Sequence, residues 1–401
     1  MIQPSTDLPV AILGGGPVGL EAALALAEAG TPFVVYEAGR TAGASVRSWG
    51  HVRLFSPWSL DVSPRMRRHL EAAGVTVPDD DTCPTGDELV DQLLAPVAAL
   101  PEVKPHLRLK TRVVAVGRQG LLKHEEIATT ARGERPFRLL LADETGRESV
   151  ALASVVLDCT GTYGQPNTLG DGGIPAPGEA AAADRLTRHV PDVEADAAAW
   201  AGSRILVVGA GYSAQTAVRS LDRLAQKIPD TVILWALRSD GPAPPIDDDP
   251  LPERSALARD AGNLAGGVSP HVEMRPGVVV ESLAPTDDGA VRVRLRHRDG
   301  ETEEVLADRV VSLTGYVGDH LLYRQLQVHE CYATCGPIKL SAALLGAASG
   351  DCLTGGGHGA DVLKNPEPGF FILGAKSYGR NSTFLMRTGW EQVDDVMGLL
   401  G

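Results

Sequence analysis

The chain has 401 residues, a formal net charge of −14 at pH 7 and 43% hydrophobic residues. This length accommodates about two domains, and the composition is that of a folded globular protein. The strong negative charge disfavours nucleic acid and anionic membrane surfaces as main partners, because both select a basic protein surface, and it serves solubility more simply.

The lack of targeting signals and the cysteine spacing indicate where the protein is located and which cysteine chemistry to expect. No apolar stretch reaches the roughly 20 residues that span a bilayer, and no basic residue precedes the first apolar run, so we expect neither a membrane span nor a secretory signal. A cytoplasmic enzyme is the expectation. The cysteines lack the C-x-x-C spacing of disulfide frameworks or zinc sites, so we expect reduced thiols and no metal. They are Cys83, Cys159, Cys331, Cys335 and Cys352.

The first predicted element is a βαβ unit. A short apolar strand, Val10 to Leu13, leads into a turn with the G-x-G-x-x-G spacing, formed by Gly14, Gly16 and Gly19. A helical pattern and a second strand follow, and the strand ends at Glu37, 18 positions after the last of these glycines (37 − 19). Such turns bind a dinucleotide pyrophosphate at a helix N-terminus. A carboxylate here accepts hydrogen bonds from ribose hydroxyls and repels a 2′-phosphate, so the unit favours FAD or NAD over NADP.

The next segment, residues 40–64, concentrates aromatic side chains, although only 4% of the chain is aromatic. Trp49, Phe55 and Trp58 could form a platform beside a flat cofactor ring, or could pack against the core. Both interpretations stay open. Beyond them the pattern predicts helices at 64–73 and 87–99, a hairpin at 112–116 and 137–141, and a strand that runs into Thr160 and Gly161. Residues 177–202 predict a surface helix and a linker.

A second nucleotide unit follows. The strand at 204–208 is followed by Gly209, Gly211 and Ala214 in G-x-G-x-x-A spacing, then by a helix and a strand at 231–237. Where the first unit has a carboxylate, this one has Arg238 and Ser239, which can bind a 2′-phosphate. The second unit therefore favours NADPH, unless the arginine is only a solvated strand end. Two units with opposite ribose chemistry imply FAD and NADPH, with hydride transfer between them. A duplicated fold with one inactive site is the alternative.

The rest of the chain repeats the pattern of apolar strands, one of which again ends in Thr-Gly. Strands are predicted at 278–280, 291–295 and 304–306, and the strand at 309–315 again ends in Thr-Gly. From about residue 331 the chain should return to the first domain. Residues 369–374 predict a strand, 375–383 a polar loop, and 384–400 an amphipathic helix. Lys376, Arg380 and Asn381 in this loop could act on the flavin or serve only the structure.

These motifs together resemble the flavin-containing monooxygenase and thioredoxin-reductase-like group of two-dinucleotide-domain flavoproteins. The resemblance rests on the GGGPVG turn with its acid, WGHVRLFSPW, DCTG, SLTG, the GAGYSA turn with its arginine, and ILGAKSYGR. It implies an α/β fold with two Rossmann-like domains: an FAD-binding domain of residues 1–198 and 326–401, interrupted by an NADPH-binding domain of residues 199–325. The residues expected to bind cofactor are Gly14, Gly16, Pro17, Gly19, Glu37, Ala38, Arg40, Trp49, Phe55, Ser56, Trp58, Val114, Thr160, Gly161, Gly209, Gly211, Tyr212, Ser213, Arg238, Ser239, Thr314, Gly315, Gly374 and Asn381.

The resemblance also implies hydride transfer from NADPH to FAD and, in the monooxygenase branch, a flavin C4a-hydroperoxide that oxygenates a soft nucleophile. The chain departs from both branches. The Phe-x-Gly run that precedes a histidine in monooxygenases is absent from residues 170–192, where His189 is the only histidine. The reductase branch needs a C-x-x-C pair, and the nearest approach is Cys331 with Cys335, which are either a dithiol or ordinary thiols.

The sequence therefore predicts an NADPH-dependent FAD monooxygenase that uses O2 to oxygenate a nitrogen or sulfur centre of a small organic substrate. The alternative is an NADPH-dependent flavin reductase or dehydrogenase that passes electrons to a disulfide, quinone or other acceptor. A third hypothesis is a flavin-bound regulatory protein without significant turnover. No catalytic residue is assigned, and a homodimer is one expectation for the oligomeric state.

Overall fold

The structure is a computed structural model that describes residues 8–346 and 358–400, so Cys352 lies outside the described residues. It divides into two compact units. The first contains Met1–Gly50, Ser56–Gln165 and Tyr316–Gly401, and the second contains His51–Phe55 and Pro166–Gly315. The main part of the second unit thus begins 33 positions before the start predicted for the NADPH domain (199 − 166).

The strands are numbered in chain order. They are β1 Val10–Leu13, β2 Phe33–Tyr36, β3 Leu107–Arg108, β4 Thr111–Arg118, β5 Phe137–Asp143, β6 Glu148–Ala153, β7 Val155–Asp158, β8 Leu186–Thr187, β9 Arg204–Val208, β10 Val232–Ala236, β11 Val272–Arg275, β12 Val278–Pro285, β13 Val291–His297, β14 Thr302–Ala307, β15 Arg309–Ser312, β16 Glu330–Cys331, β17 Gly336–Pro337 and β18 Phe370–Ile372.

The α-helices are numbered in the same way. They are α1 Pro17–Glu28, α2 Ala44–Arg47, α3 Trp58–Asp61, α4 Pro64–Ala72, α5 Gly86–Leu89, α6 Ala95–Ala99, α7 Ala197–Trp200, α8 Tyr212–Lys227, α9 Pro252–Ala265, α10 Ile338–Gly346 and α11 Met386–Leu400. Within residues 8–346 and 358–400, none of these helices combines the length and apolarity needed to cross a membrane.

A five-stranded parallel sheet organises the first unit, in the order β18-β7-β1-β2-β3. All four residues of β1 are buried, as expected for a central strand that is covered on both faces. Because the strands are parallel, their carboxyl ends meet at one edge. β2 and β7 lie on opposite sides of β1, which makes the end of β1 a topological switch point, where α/β sheets bind ligands. We call the residues that follow β1, β2, β7 and β18 the first carboxyl edge.

An antiparallel sheet of β4, β5 and β6 completes the predicted hairpin and adds a strand to it. The sequence pattern missed β6 because only its last residue is buried, so it lacks the alternation that marks a half-buried strand. The helix predicted at 87–99 is present as α5 and α6, joined by a π-helical turn at Val90–Leu94. Pro96 lacks the N–H that would continue regular α-helical bonding through this point.

The second unit contains its own five-stranded parallel sheet, in the order β11-β10-β9-β15-β8. Its core includes the fully buried Trp235 and the apolar face of α8, represented by Val218 and Leu221. A three-stranded antiparallel sheet, β12-β13-β14, shares a second core cluster with residues of β9, β10 and β15 in the same unit. The residues that follow β9, β10 and β15 form the second carboxyl edge.

The helix predicted within 177–202 is largely wrong, because only α7 and a short 3-10 turn at Ala183–Arg185 are helical there. Glu179 stabilises the segment instead. Its buried carboxylate accepts hydrogen bonds from the backbone N–H groups of Leu169 and Ala176 and from the side chain of Arg188. Alanine content favoured a helix in the sequence, but a regular apolar stripe is missing, and packing decides helix formation more than propensity does.

Candidate functional site

The first glycine-rich turn links β1 to α1. Gly14 has φ +100°, and a Cβ here would lie 2.6 Å from the carbonyl oxygen of Cys159, so a larger residue does not fit. A Cβ on Gly19 would lie 1.9 Å from the carbonyl of Gly14, which explains the close approach of helix and strand. A Cβ on Gly16, by contrast, would have no described atom within 4 Å apart from those of this glycine and its chain neighbours. Pro17 is the first residue of the helix.

The N-terminus of α1 is suited to an anion. Of the side chains that the structure describes, none caps the backbone at Gly16, so the first N–H groups of the helix remain able to bind phosphate. The open cradle at this glycine therefore fits the pyrophosphate of a dinucleotide.

Glu37 is held at the end of β2 by the backbone. Its Oε2 accepts a hydrogen bond from the N–H of Gly15 at 2.7 Å, and its Oε1 accepts one from Gly39 at 2.6 Å. Each carboxylate oxygen keeps a further lone pair, so the oriented group can still accept ribose hydroxyls. The neighbouring Ala38 and Arg40 are exposed, and the arginine lies 3.6 Å from Glu144 at the surface.

A buried ion pair stabilises the part of the first carboxyl edge that follows β7 and β18. The Nζ of Lys376 lies 2.6 Å from Asp158 Oδ2, 2.7 Å from the carbonyl of Asp319 and 3.2 Å from Thr160 Oγ1. The side chains of the lysine and of Asp158 are completely buried. Thr160 donates its hydroxyl to the same carboxylate at 2.6 Å, and Gly161 follows with φ +67°. Asp158 and Lys376 together hold the Thr-Gly turn in place.

The loop predicted at 375–383 is therefore more ordered than its composition suggested. Its first part is a 3-10 helix, Gly374–Tyr378, in which Lys376 and Ser377 are buried. Sequence reasoning named Lys376 but missed Asp158. A charged residue at the end of an apolar strand was the available signal, because such a group is buried only with a partner.

Two predicted residues of the C-terminal segment also lie in the first unit. The N–H of Gly374 donates to Gln392 Oε1 at 2.8 Å, which ties the strand end to α11. Asn381 accepts hydrogen bonds from the N–H and the hydroxyl of Thr383, at 2.9 and 2.7 Å. The asparagine thus stabilises its own turn. Val114 lies at a bulge of β4, is 41% exposed, and belongs to the antiparallel sheet.

The aromatic residues are divided between the two units. Trp49 and Trp58 belong to the first unit and Phe55 to the second. Trp58 is buried, and Trp49 packs so closely on Gly86 that a Cβ there would lie 2.9 Å from its ring. Phe55 contacts Tyr212 edge to face at 5.3 Å between ring centroids. Core packing therefore accounts for Trp58, and the three rings do not form a platform within either unit.

Ser56 is a partner of a buried carboxyl group. Its hydroxyl donates to Asp61 Oδ1 at 2.6 Å. Burial raises the pKa of Asp61 to about 7, and the hydrogen bond from the serine opposes this shift only in part. The serine hence has a structural role in the first unit.

The second glycine-rich turn repeats the geometry of the first. Gly209 has φ +137°, and a Cβ there would lie 2.4 Å from the carbonyl of Leu313. The indole N–H of Trp235 donates to the carbonyl of Gly209 at 2.8 Å and fixes the turn. Apart from Gly211 itself and its chain neighbours, no described atom lies within 4 Å of a Cβ built on this residue. Helix α8 begins here without a side-chain cap from the described residues. This cradle also fits a pyrophosphate.

The residues around this turn are accessible. Tyr212 is partly exposed and Ser213 is exposed in the first turn of α8. Arg238 and Ser239 follow β10 and are both exposed, and the serine hydroxyl donates to the carbonyl of Gly241 at 2.7 Å. Arg298 donates to the backbone carbonyl of Arg238 at 2.9 Å and to Asp240 Oδ1 at 2.5 Å, so its guanidinium lies beside the backbone of this strand end and is paired with a carboxylate. Sequence reasoning missed it because 60 positions separate the two.

Asn167 organises the end of β15. Its side-chain amide donates to the carbonyl of Thr314 at 3.1 Å, its backbone N–H donates to the carbonyl of Gly315 at 2.9 Å, and its own carbonyl accepts from the threonine hydroxyl at 3.0 Å. The second Thr-Gly turn is therefore held by a residue that follows β7 in sequence. No periodic pattern pointed to this contact.

The sequence profile of the pyridine nucleotide-disulphide oxidoreductase family matches residues 8–331. No curated protein matches the chain.

Solved structures share the fold over almost the full length. The bacillithiol disulfide reductase Bdr (YpdA) of Bacillus cereus has 19% identity and a TM-score of 0.69, with 98% of each chain covered. The cadaverine monooxygenase DfoA of Erwinia amylovora, solved with FAD, has 13% identity and a TM-score of 0.68, with 98% of this chain and 94% of that chain covered. Thioredoxin reductase of T. acidophilum has 13% identity and a TM-score of 0.58, with 98% and 97% covered.

Proposed function

The chain belongs to the pyridine nucleotide-disulphide oxidoreductase family, and on this premise we propose that it is an NADPH-dependent flavin reductase that passes electrons to a small-molecule acceptor without oxygen insertion. It is a flavin-dependent oxidoreductase, with FAD and NADPH as cofactors. Bound FAD supplies two-electron chemistry, and the protein supplies binding and orientation. We place this activity in the cytoplasm, and a homodimer remains a prediction.

The cofactor part of the proposal rests on the exchange of charge between the two carboxyl edges. Glu37, oriented by two backbone N–H groups, lies where the first unit would bind ribose hydroxyls. Arg238 follows β10 at the corresponding position of the second unit, where its guanidinium could bind the negative charge of a 2′-phosphate. We therefore assign FAD to the first unit and NADPH to the second.

The residues at these two edges account for the reduction of FAD by NADPH and for no later step of the reaction. Residues 170–192, where a monooxygenase fingerprint would stand, are used for packing in the second unit. The carbonyl of Pro177 accepts a hydrogen bond from the N–H of Leu283 at 2.8 Å, and a Cβ on Gly178 would lie 1.7 Å from the carbonyl of Leu283. Burial lowers the pKa of His189 and so disfavours its charged form. These contacts support a structural role for the segment.

The second candidate is the monooxygenase that the sequence predicts, acting with O2 on a nitrogen or sulfur centre of a small organic substrate. It is favoured by the likeness to DfoA along nearly the whole length of both chains. Both candidates begin with the reduction of FAD by NADPH, so they differ only in the second substrate.

Stoichiometry under controlled oxygen separates the candidates. The FAD-loaded protein would be mixed with NADPH in anaerobic buffer, and flavin absorbance and NADPH loss would be followed with a benzoquinone or a small disulfide as acceptor. The reductase should turn over repeatedly without O2. In aerated buffer with amines and thioethers, consumption of one O2 per NADPH with an oxygenated product would overturn it in favour of the monooxygenase. A flavin that NADPH leaves oxidised would overturn both.

A further inference from the structure

A groove on the second unit lies between α8 and α9, and we call it the α8–α9 groove. Its volume is about 400 Å³, and its third side is formed by residues 268–271, which lead from α9 into β11. Every residue that lines it belongs to the second unit. Pockets that bind small molecules usually have volumes of about 300–1,000 Å³. The groove therefore has room for a small ligand.

The α8–α9 groove is separate from the predicted cofactor sites. Helix α8 has 16 residues and is roughly 24 Å long, because an α-helix rises about 1.5 Å per residue. The helix begins at the cradle of Gly211, whereas it lines the groove only from Arg219 onward. The carbonyl of His271, which also lines the groove, accepts a hydrogen bond from the N–H of Ile233 at 2.8 Å, near the amino end of β10. The second carboxyl edge lies at the opposite end of this strand, so a ligand in the groove and NADPH can be bound together.

A buried carboxylate holds the loop wall of the groove in place. Asp222 is 5% exposed and accepts hydrogen bonds from the hydroxyl of Ser269 and, at 2.7 Å, from the side-chain amide of Gln226. The oxygen of this serine also accepts the N–H of His271 at 3.2 Å. Satisfied buried polar groups make a local structure specific and rigid. The groove is therefore formed before any ligand binds.

Several donors that face the groove have no protein partner. Arg219 and Arg223 are four positions apart and so lie on the same face of α8. The Nε of Arg219 is buried without a hydrogen-bond partner among the described residues, while another nitrogen of this guanidinium lies 3.4 Å from Asp260 Oδ2. Arg223 is exposed, and neither it nor the side chain of Asn263 forms a hydrogen bond or ion pair within residues 8–346 and 358–400. A buried donor without a partner is costly, and a ligand that carries acceptor oxygens removes this cost.

The charges of the lining favour an anionic ligand. Both oxygens of Asp222 already accept hydrogen bonds, and Asp260 is the partner of Arg219. Arg223 is thus the cation whose charge is not balanced by a neighbour. Carboxylate and phosphate oxygens match the geometry of a guanidinium.

The loop side of the groove adds an apolar surface. Val268 is 76% exposed at its rim, and the buried Leu264 lies beneath. Covering an exposed valine by an apolar group is favourable, because it removes apolar surface from water. This surface favours a ligand that has an apolar body beside its anionic group.

We propose that the α8–α9 groove binds a small organic anion, whose carboxylate or phosphate contacts Arg219 and Arg223 and whose apolar body covers Val268. The site is additional to both cofactor sites, and its ligand is distinct from the electron acceptor. The inference does not depend on which acceptor the enzyme uses.

Isothermal titration calorimetry of the full chain tests the ligand class. The protein would be loaded with FAD and saturated with NADP+, so that the phosphate-binding turns of both units are occupied. The probes are phenyl phosphate, benzoate, benzyl alcohol and benzylamine, which share an aromatic ring and differ in charge. We expect one molecule of either anion to bind per chain, and the alcohol and the amine to bind at least about tenfold more weakly. Absence of binding by both anions at millimolar concentration, or tighter binding of benzylamine, would overturn the proposal.

Variants locate the binding site. Arg223→Gln removes an exposed side chain without a partner, so it should fold normally and weaken phenyl phosphate binding about tenfold or more. Arg259→Gln is the matched control, because Arg259 is exposed on α9 and does not line the groove. Val268→Ser should weaken phenyl phosphate but leave the weaker binding of inorganic phosphate unchanged. Wild-type affinity in Arg223→Gln, or an equal loss in Arg259→Gln, would show that the anion binds elsewhere and would overturn the assignment. Unfolding midpoints measured without probe confirm that each variant is folded.

Discussion

Replacing Lys376 by methionine removes the cation that holds the first carboxyl edge together. Its Nζ is fully buried and lies 2.6 Å from Asp158 and 2.7 Å from the carbonyl of Asp319. Methionine preserves much of the volume but leaves the carboxylate buried with only the hydrogen bonds from Thr160. Breaking a buried pair in this way costs about 3–5 kcal/mol. A loss of about 3 kcal/mol lowers the unfolding midpoint by roughly 6–12 °C in a unit of this size.

Thermal unfolding monitored by circular dichroism measures this loss, with every variant at the same FAD concentration because a bound ligand shifts the midpoint. Lys364→Met is the matched control. Lys364 is exposed and lies 3.4 Å from Asp361, and an exposed ion pair contributes at most about 1 kcal/mol. We expect the control to unfold close to the wild type.

The double variant Lys376→Met with Asp158→Asn isolates the ion pair from the general effect of a core substitution. It leaves no buried charge, so it should be more stable than Lys376→Met alone, with a coupling of about 2–3 kcal/mol between the two sites. We assign this ion pair the role of stabilising the Thr-Gly turn. That assignment would be refuted if the two stability losses simply add, or if Lys376→Met unfolds at the same midpoint as the control.

Three further predictions concern individual side chains. The pKa of Asp61 lies at about 7, so the folded state keeps a proton that the unfolded chain releases near pH 4. The free energy of unfolding should therefore fall by up to about 4 kcal/mol as the pH rises between these two values. Thermal melts of Asp61→Asn should lack this dependence on pH. Glu37→Ala should weaken FAD binding about tenfold or more, and unchanged flavin content after gel filtration would contradict this. Arg238→Ala should raise the KM for NADPH roughly 10- to 100-fold and spare NADH, with the exposed Arg294→Ala as control; equal effects on both nucleotides would exclude a 2′-phosphate contact.

The sequence by itself determined the two glycine-rich turns, and the opposite ribose chemistry that it predicts for them stays a prediction. Each turn lies within a short segment in which strand, glycines, helix and second strand follow one another, and the structure has β1, α1 and β2 in that order. The required conformations are local, because Gly14 and Gly209 have positive φ next to strands whose apolar runs are continuous. Local spacing therefore predicted the fold class and both candidate cofactor sites.

Only the tertiary structure decided which side chains support these turns. Lys376 and Asp158 are 218 positions apart, Asn167 and Thr314 are 147 apart, and Phe55 belongs to a different unit from its neighbour Ser56. Periodicity reports which face of an element is apolar, but it carries no information about the partner that a buried polar group finds. That partner is set by how distant segments pack, because a buried charge or amide is stable only where the fold supplies its complement.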